Sequence, residues 1–263
     1  MIVLMLSAYS LLFCSASARE RVASSGGRIA HGFKAKEGRF PFVVAIMYKH
    51  DQYFCAGTII TPKFVLTAAH CDTRNGPSSV VAGSNYFPDF EYRRNVKNFF
   101  PHPKYIDFIR VRYDVAIIEL DHELPMIPRR VMFAKLPEYS TEVPDDYGTV
   151  AGWGVTKEGF TEPSPFLLAV CLKKVECKAA EEFFCLANPG GNQDSCAGDS
   201  GGPFLINRTV YGVVSFGVTD CGTGTPGRYM KVPLVVEWIR ETAGIPESPK
   251  SPSCEAFEGR RNL

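Results

Sequence analysis

After its first eighteen residues the sequence has no long uninterrupted apolar run, so no membrane-spanning helix is predicted in the rest of the chain. It also has little net charge: the formal value is +1 in 263 residues, which argues against strong binding to nucleic acid or to an anionic membrane surface. No Cys-x-x-Cys pair and no closely spaced histidine pair gives the ligand spacing of a zinc site. No internal repeat is visible, as a solenoid would require.

The N-terminal residues form the one notable apolar segment. Ile2 to Phe13 is largely apolar and is followed by Ala16-Ser17-Ala18, a small-x-small pattern typical of signal-peptidase cleavage. A membrane anchor or a strand is the alternative interpretation, but the segment is shorter than the roughly 20 residues that cross a bilayer. We therefore predict a signal peptide over residues 1–18 and a secreted, extracellular protein.

The cysteine count fits that location. Of the nine cysteines, Cys14 lies in the predicted signal peptide, which leaves eight for an oxidising compartment. An even number in a secreted chain predicts disulfides rather than metal ligands.

The remaining chain is predicted to have three parts. Residues 19–28 are polar, small and glycine-rich and end at Arg28 before the apolar Ile29, which predicts a removable activation propeptide. Residues 247–263 read as a linker-like tail rich in proline and serine. Between these two segments lies the predicted folded domain, residues 29–246.

The pattern within the domain predicts an all-β fold. Short runs rich in Val, Ile, Phe and Tyr alternate with Gly, Pro, Asn and Asp clusters. The clearest runs are Phe42–Tyr48, Phe64–Thr67, Ser79–Ala82, Val115–Leu120 and Tyr211–Phe216. One helix is predicted near the end, beginning around Pro233 and terminated by Gly244.

Three separated stretches carry the chemistry. They are Leu66-Thr67-Ala68-Ala69-His70-Cys71, Tyr113-Asp114-Val115-Ala116-Ile117-Ile118 and Asp194-Ser195-Cys196-Ala197-Gly198-Asp199-Ser200-Gly201-Gly202-Pro203. A serine hydroxyl is a poor nucleophile at neutral pH and needs a base, and the base needs an acceptor that fixes its tautomer. His70, Asp114 and Ser200 supply those roles.

Together the three stretches resemble those of the chymotrypsin and trypsin family, and the resemblance runs from Ile29 to about Gly244. It implies two antiparallel six-stranded β-barrels, chymotrypsin-like, with a C-terminal helix. It implies a monomeric trypsin-like serine endopeptidase with its site in the cleft between the barrels, and it assigns Ser200 as nucleophile, His70 as general base and Asp114 as the residue that orients the imidazole.

The resemblance also assigns an oxyanion hole and an activation switch. The backbone amides of Gly198 and Ser200 are expected to face the developing oxyanion. Cleavage after Arg28 by an activating protease is expected to free the amine of Ile29, which then pairs with Asp199 in the interior and orders the oxyanion loop.

The expected specificity pocket centres on Asp194, six residues before Ser200. In trypsin-like members a carboxylate at this position pairs with a substrate Arg or Lys, and Ser195 can add a hydrogen bond. Gly217 and Gly227 map to the pocket walls, where missing side chains leave room for a long basic side chain.

Three neighbouring residues are expected to contact the extended substrate. The backbone of Ser215 and Gly217 is expected to pair with a substrate strand by β-addition. Phe216 stands where the family usually has tryptophan, which predicts a reshaped apolar subsite.

Three disulfides follow from the resemblance, and a fourth, Cys171 with Cys254, is the pairing that remains. Cys55 with Cys71 and Cys196 with Cys221 match the family, as does Cys177 with Cys185, which closes an unusually short loop. Cys171 and Cys254 then remain, but the four outer cysteines permit three pairings. A further family bridge is absent, because Gly148 and Ile206 stand at its two positions.

Asn207-Arg208-Thr209 is an N-glycosylation acceptor sequence. Asp89 and Glu91 lie where some family members bind calcium, but they do not form a convincing ligand set, so no metal and no cofactor is predicted.

The predicted partners are polypeptide substrates, protein protease inhibitors and an activating protease, with no nucleic acid and no membrane. The alternative function is a catalytically silent, protease-like binding protein. Ala30 and His31 stand where the family usually has Val and Gly, and together with Phe216 they leave this alternative open.

Overall fold

The computed structural model describes residues 32–73, 76–107, 110–156, 162–189, 191, 193–217 and 221–246. The predicted signal peptide, the propeptide and the tail lie outside these residues, so their boundaries stay predictions. Within the described ranges, no helix combines the length and apolar character needed to cross a bilayer.

Six of the described strands form a closed antiparallel barrel in the N-terminal half, in the order β2-β3-β4-β7-β6-β5. These strands are β2 (Val43–Met47), β3 (Tyr53–Thr61), β4 (Phe64–Thr67), β5 (Ser79–Ala82), β6 (Tyr92–Pro101) and β7 (Ala116–Leu120). All five residues of β2, Val-Val-Ala-Ile-Met, are buried. Val43, Val44 and Ile46 are β-branched, and such side chains pack well on a pleated surface.

The second half forms a seven-stranded antiparallel sheet in the order β1-β9-β10-β13-β12-β11-β8. Its strands are β1 (Phe33–Lys34), β8 (Gly148–Gly152), β9 (Leu168–Val175), β10 (Phe183–Ala187), β11 (Pro203–Ile206), β12 (Thr209–Phe216) and β13 (Gly227–Lys231). A further pairing of β8 with β9 closes six of them into a second barrel, and β1 pairs with β9 as an added strand.

The C-terminal helix α1 spans Val232–Ala243 and contacts β12 and β7. Pro233 lies in its first turn, where no intrahelical donor is needed, and Gly244 ends it with φ 63°. At that end the amide of Ile245 donates to the carbonyl of Arg240 at 2.8 Å. The helix therefore begins and ends as the sequence predicts.

The predicted fold class is confirmed: two antiparallel six-stranded barrels and one C-terminal helix. Strands β4 and β5 have the bounds that the sequence predicts, and the other predicted runs shift by one or two residues. The first barrel carries His70 and Asp114 at the ends of β4 and β7, and the second carries Ser200 just before β11. The fold thus brings all three stretches to the junction of the barrels.

Candidate active site

His70 and Asp114 form a pair because their strands are neighbours. His70 lies in a short 3-10 turn, Ala69–Cys71, directly after β4, and Asp114 lies two residues before β7. Strands β4 and β7 pair with Thr67 opposite Ala116, which places the two side chains side by side. Nδ1 of His70 is 2.7 Å from Oδ2 of Asp114, and the backbone N–H of His70 donates to Oδ1 at 2.9 Å. The carboxylate therefore fixes both the tautomer and the orientation of the imidazole.

Asp114 has a further donor that sequence reasoning missed. The hydroxyl of Ser215, which is only 3% exposed, donates a hydrogen bond to Oδ2 of Asp114. The sequence predicts only a backbone role for Ser215. The available signal was weak: a serine in the apolar strand β12 needs a buried partner, but its position does not identify one.

The electrostatics of the pair favour an ionised carboxylate. Burial alone raises the pKa of Asp114, but the hydrogen bonds from His70 and Ser215 and the charge of His70 outweigh it, so the pKa is lowered. Burial alone lowers the pKa of His70, but Asp114 outweighs it through its hydrogen bond and charge, so the pKa is raised. The site thus holds a basic imidazole against a buried anion that is 1% exposed.

Backbone contacts hold the turn at Ser200 against the part of the first barrel that leads to His70. The carbonyl of Ser200 accepts from the amide of Ala56 at 2.8 Å, next to the Cys55–Cys71 disulfide beside His70. Gly201 has φ 79°, and a Cβ there would lie 2.1 Å from Oγ1 of Thr67. Only glycine lets this turn pack so closely on the chain that leads to His70.

The backbone N–H groups of Gly198 and Ser200, the predicted oxyanion donors, lie in the loop before β11. Among the described residues neither N–H donates to another group, although buried backbone donors are almost always paired. The carbonyl of Ala197 accepts from the amide of Val155 at 2.8 Å. Because a trans peptide points its C=O and N–H in opposite directions, the Gly198 N–H faces away from Val155.

A cleft of about 330 Å³ lies beside Ser200. It is lined by Asp194, Ser195, Cys196, Ala197, Ser200, Val214, Ser215, Phe216, Gly217, Cys221 and Gly227. The structure therefore brings together every residue that the sequence placed in the specificity pocket.

Asp194 is the ionisable group of this cleft. Burial raises its pKa to about 6, although the backbone amides of Ser195 and Gly222 oppose the shift. The hydroxyl of Ser195 is 2.9 Å from that of Tyr229, and a Cβ at Gly227 would lie 3.4 Å from a carboxylate oxygen of Asp194. The cleft thus ends in polar groups, and no cation among the described residues pairs with the carboxylate of Asp194.

Asp199 lies behind the oxyanion loop and is fully buried. Its two carboxylate oxygens accept from the amides of Gly154 and Cys196, each at 2.9 Å. A Cβ at Gly152 or Gly154 would lie 2.2 or 2.5 Å from this carboxylate, so both glycines are required for the close approach. Burial raises the pKa of Asp199 to about 7, with the two amides opposing the shift. Its predicted partners in activation, Arg28 and Ile29, lie outside the described residues.

Three predicted disulfides are present: Cys55–Cys71, Cys177–Cys185 and Cys196–Cys221. Cys171 is also disulfide-bonded, but Cys254 lies outside the described residues, so that pairing stays a prediction. The sulfur atoms of Cys55 and Cys71 lie near His70, but they are bonded to each other and offer no thiolate to a metal.

Two other predicted features can be placed. Gly148 stands at one position of the family disulfide that this chain lacks, and a Cβ there would lie 2.3 Å from the Phe204 ring. An aromatic side chain therefore fills that space. Asn207 lies exposed in the turn between β11 and β12 with φ 51°, a position open to modification.

The fold and the cleft define a serine endopeptidase of the chymotrypsin fold. Residues 29–239 match the Trypsin family, and the chain belongs to that family. It is 33% identical over 236 residues to trypsin 5G1 of Aedes aegypti, covering 84% of this chain and 87% of that protein. It is also 33% identical over 236 residues to hypodermin-B of Hypoderma lineatum, covering 82% of this chain and 88% of the relative.

Solved structures agree on the fold. Human heparin binding protein superposes with a TM-score of 0.75 at 27% identity, covering 85% of this chain and 100% of the other. Mouse neuropsin, a serine protease of the limbic system, superposes with a TM-score of 0.72 at 24% identity, covering 81% and 99%. The second likeness concerns the fold alone.

Proposed function

We propose that this protein is a secreted endopeptidase, made as a zymogen, that hydrolyses peptide bonds after Arg or Lys through His70, Asp114 and Ser200. The observation that carries the proposal is a single cleft that contains both Ser200 and the half-buried carboxylate of Asp194. A nucleophile and a specificity group that share one cleft couple recognition of a basic side chain to attack on the adjacent bond.

The proposed reaction has two halves, acylation and deacylation, and the same groups act in both. The hydroxyl of Ser200 attacks the substrate carbonyl while Nε2 of His70 takes its proton, and the amides of Gly198 and Ser200 stabilise the oxyanion. His70 then gives the proton to the departing amine, which leaves an acyl-enzyme. Water attacks that ester while His70 takes a proton from it. His70 then gives this proton to Oγ of Ser200 as the acyl–oxygen bond breaks, which releases the acid product and restores the serine. Asp114 stays ionised and stabilises the imidazolium in both halves.

Specificity follows from the cost of an unpaired buried charge. An Arg or Lys side chain would pair with Asp194, and the hydroxyl of Ser195 would accept a further hydrogen bond from its N–H groups. An apolar side chain would leave the carboxylate desolvated and unpaired, which selects against it. The backbone of Ser215 and Gly217 would pair with the extended substrate. Beside it, the ring of Phe216 packs on that of Phe183 at 5.6 Å.

The zymogen proposal rests on Asp199. Its carboxylate is fully buried with two amide donors and no cation among the described residues. A new amine at Ile29, released by an activating protease after Arg28, would supply the missing charge. Pairing would hold the loop that carries Gly198 in its working conformation.

The proposal also includes secretion, glycosylation at Asn207, a monomeric state and inhibition by protein protease inhibitors. The disulfides favour an oxidising compartment, and the exposed turn at Asn207 favours access by a glycosyltransferase.

Peptide hydrolysis before and after activation tests the proposal. The precursor is compared with its trypsin-treated form after the trypsin has been removed. Both are assayed on matched peptides that differ only in having Arg, Lys or Phe directly before a chromogenic amide. We expect hydrolysis after Arg and Lys only, appearing on activation and absent in Ser200→Ala of unchanged thermal stability. Normal hydrolysis by Ser200→Ala would overturn the triad. An activated wild-type protein that binds the Arg peptide but never cleaves it would establish the binding-protein alternative instead.

A further inference from the structure

Tyr53 joins the first barrel to the oxyanion loop of the second. The residue begins β3, and its hydroxyl donates a hydrogen bond to the carbonyl oxygen of Gly198 at 2.6 Å. The ring also lies against the Gly198 backbone, since a Cβ on Gly198 would come within 3.0 Å of Cε1 of the ring. Tyr53 therefore contacts the residue that supplies one oxyanion donor.

Hydrogen bonds hold the peptide groups on both sides of Gly198. The peptide before it is fixed by the bond from the Val155 amide to the Ala197 carbonyl, and the peptide after it by the Tyr53 hydroxyl. Gly198 has φ 94°, and glycine has several other accessible conformations, so its backbone does not hold this geometry by itself. The Val155 bond directs the Gly198 N–H away from Val155, and the Tyr53 bond holds the following peptide, so the two bonds together keep Gly198 in this one conformation.

The ring of Tyr53 is itself held by a row of aromatic contacts. It packs edge to face on Phe87 at 5.8 Å, Phe87 on Phe90 at 5.6 Å, and Phe90 on Trp153 at 5.4 Å. Trp153 is fully buried and lies between the two glycines that surround Asp199. The row thus fixes the phenol relative to the same loop that Asp199 anchors.

The phenol is protonated at any working pH. Burial and the nearby carboxylate of Asp199 raise the pKa of Tyr53 well above its usual value. The hydroxyl therefore remains a hydrogen-bond donor to the carbonyl.

We propose that Tyr53 is a positioning residue for catalysis, which orients the Gly198 amide toward the oxyanion through its hydrogen bond to the Gly198 carbonyl. The inference rests on the proposed role of Gly198 as an oxyanion donor. It adds a residue from the first barrel, 145 positions earlier in the chain, to the groups that set the reaction rate.

Tyr53→Phe tests the proposal, because it keeps the ring and removes only the donor. The activated variant is compared with wild type and with Tyr211→Phe, a matched change on a partly buried tyrosine of β12. Three quantities are measured: kcat and KM on an Arg peptide amide, the Ki of an Arg peptide aldehyde, which forms a tetrahedral adduct with the serine, and the Ki of benzamidine, a cation that occupies only the specificity cleft.

We expect kcat to fall about tenfold in Tyr53→Phe, because an oxyanion donor that is less well aligned stabilises the transition state less. The aldehyde Ki should rise by a similar factor, while KM, the benzamidine Ki and the thermal midpoint stay within about twofold or a few degrees of wild type. Tyr211→Phe should leave all of them unchanged.

Three results would overturn the proposal: an unchanged kcat, a kcat loss without a change in the aldehyde Ki, or an equal loss of benzamidine affinity, which marks general disruption of the loop. A variant that does not fold would also overturn it, because the hydroxyl would then be structural. Failure of the proposed function is distinct, since wild type and Tyr211→Phe would then be inactive as well.

Discussion

The hydroxyl of Ser215, in the second barrel, donates a hydrogen bond to the carboxylate of Asp114, in the first. Asp114 also receives two hydrogen bonds from His70, so this buried anion has donors from both barrels. The contact fixes the orientation of the carboxylate and stabilises the junction at which the cleft lies.

Ser215→Ala should destabilise the protein through this contact. Hydrogen bonds to charged groups contribute about 1.5–3 kcal/mol, so the free energy of unfolding should fall by about 2 kcal/mol. Chemical denaturation measures the change. Ser140→Ala, at an exposed serine, is the control and should be neutral. Equal stability of the two variants would show that the Ser215 hydroxyl contributes nothing to the buried charge.

The pH dependence of turnover should report the His70–Asp114 pair. His70 acts as a base only when neutral, and its pKa is raised above the usual 6.5, so kcat/KM should rise with pH through a midpoint above 6.5. In Asp114→Asn the opposing effect of burial remains, and the midpoint should move to lower pH.

The same variant should lose about four orders of magnitude in kcat/KM, the established cost in this family of an imidazole held in the wrong tautomer. Stopped-time assays from pH 5 to 9 give both quantities. An acid limb that does not move in Asp114→Asn would mean that another group controls it.

Binding of cations in the cleft should depend on Asp194. Because its pKa is raised to about 6 in the empty cleft, benzamidine affinity should be full above this value and fall about tenfold per pH unit below it. Asp194→Asn removes the charge with little change of shape. It should weaken benzamidine binding by about 10³-fold at neutral pH and abolish the pH dependence. Retention of either property by the variant would place the cation elsewhere.

Activation should require cleavage after Arg28. Arg28→Gln removes the basic side chain that an activating trypsin recognises, so the precursor should stay inactive after treatment that activates wild type. N-terminal sequencing should show a new terminus at Ile29 in wild type and none in the variant. Activity in an uncleaved Arg28→Gln protein would exclude the zymogen proposal.

Much of the fold follows from local patterns. Strands β4 and β5 are bounded apolar runs, and the helix α1 has a proline at its start and a glycine with φ 63° at its end, so each has a signal within a few residues. The closing of two barrels is less local, and there the resemblance in the three catalytic stretches supplied the expectation.

The residues that sequence reasoning missed act across long separations. Ser215 contacts a carboxylate 101 positions away, and Tyr53 a carbonyl 145 positions away. Gly152 and Gly154 are needed because the Asp199 side chain fills the space of their missing Cβ atoms. Such contacts depend on how the barrels dock, and no spacing or periodicity near those residues encodes it.

Labelling with an Arg-containing diphenyl phosphonate, followed by mass spectrometry of the digested protein, tests the central claim most directly. The reagent carries a cation for Asp194 and a phosphorus atom that only an activated serine attacks. The account predicts one adduct, on the peptide that contains Ser200, formed after activation and blocked by benzamidine. No adduct on the activated protein, or an adduct on another residue, would contradict it.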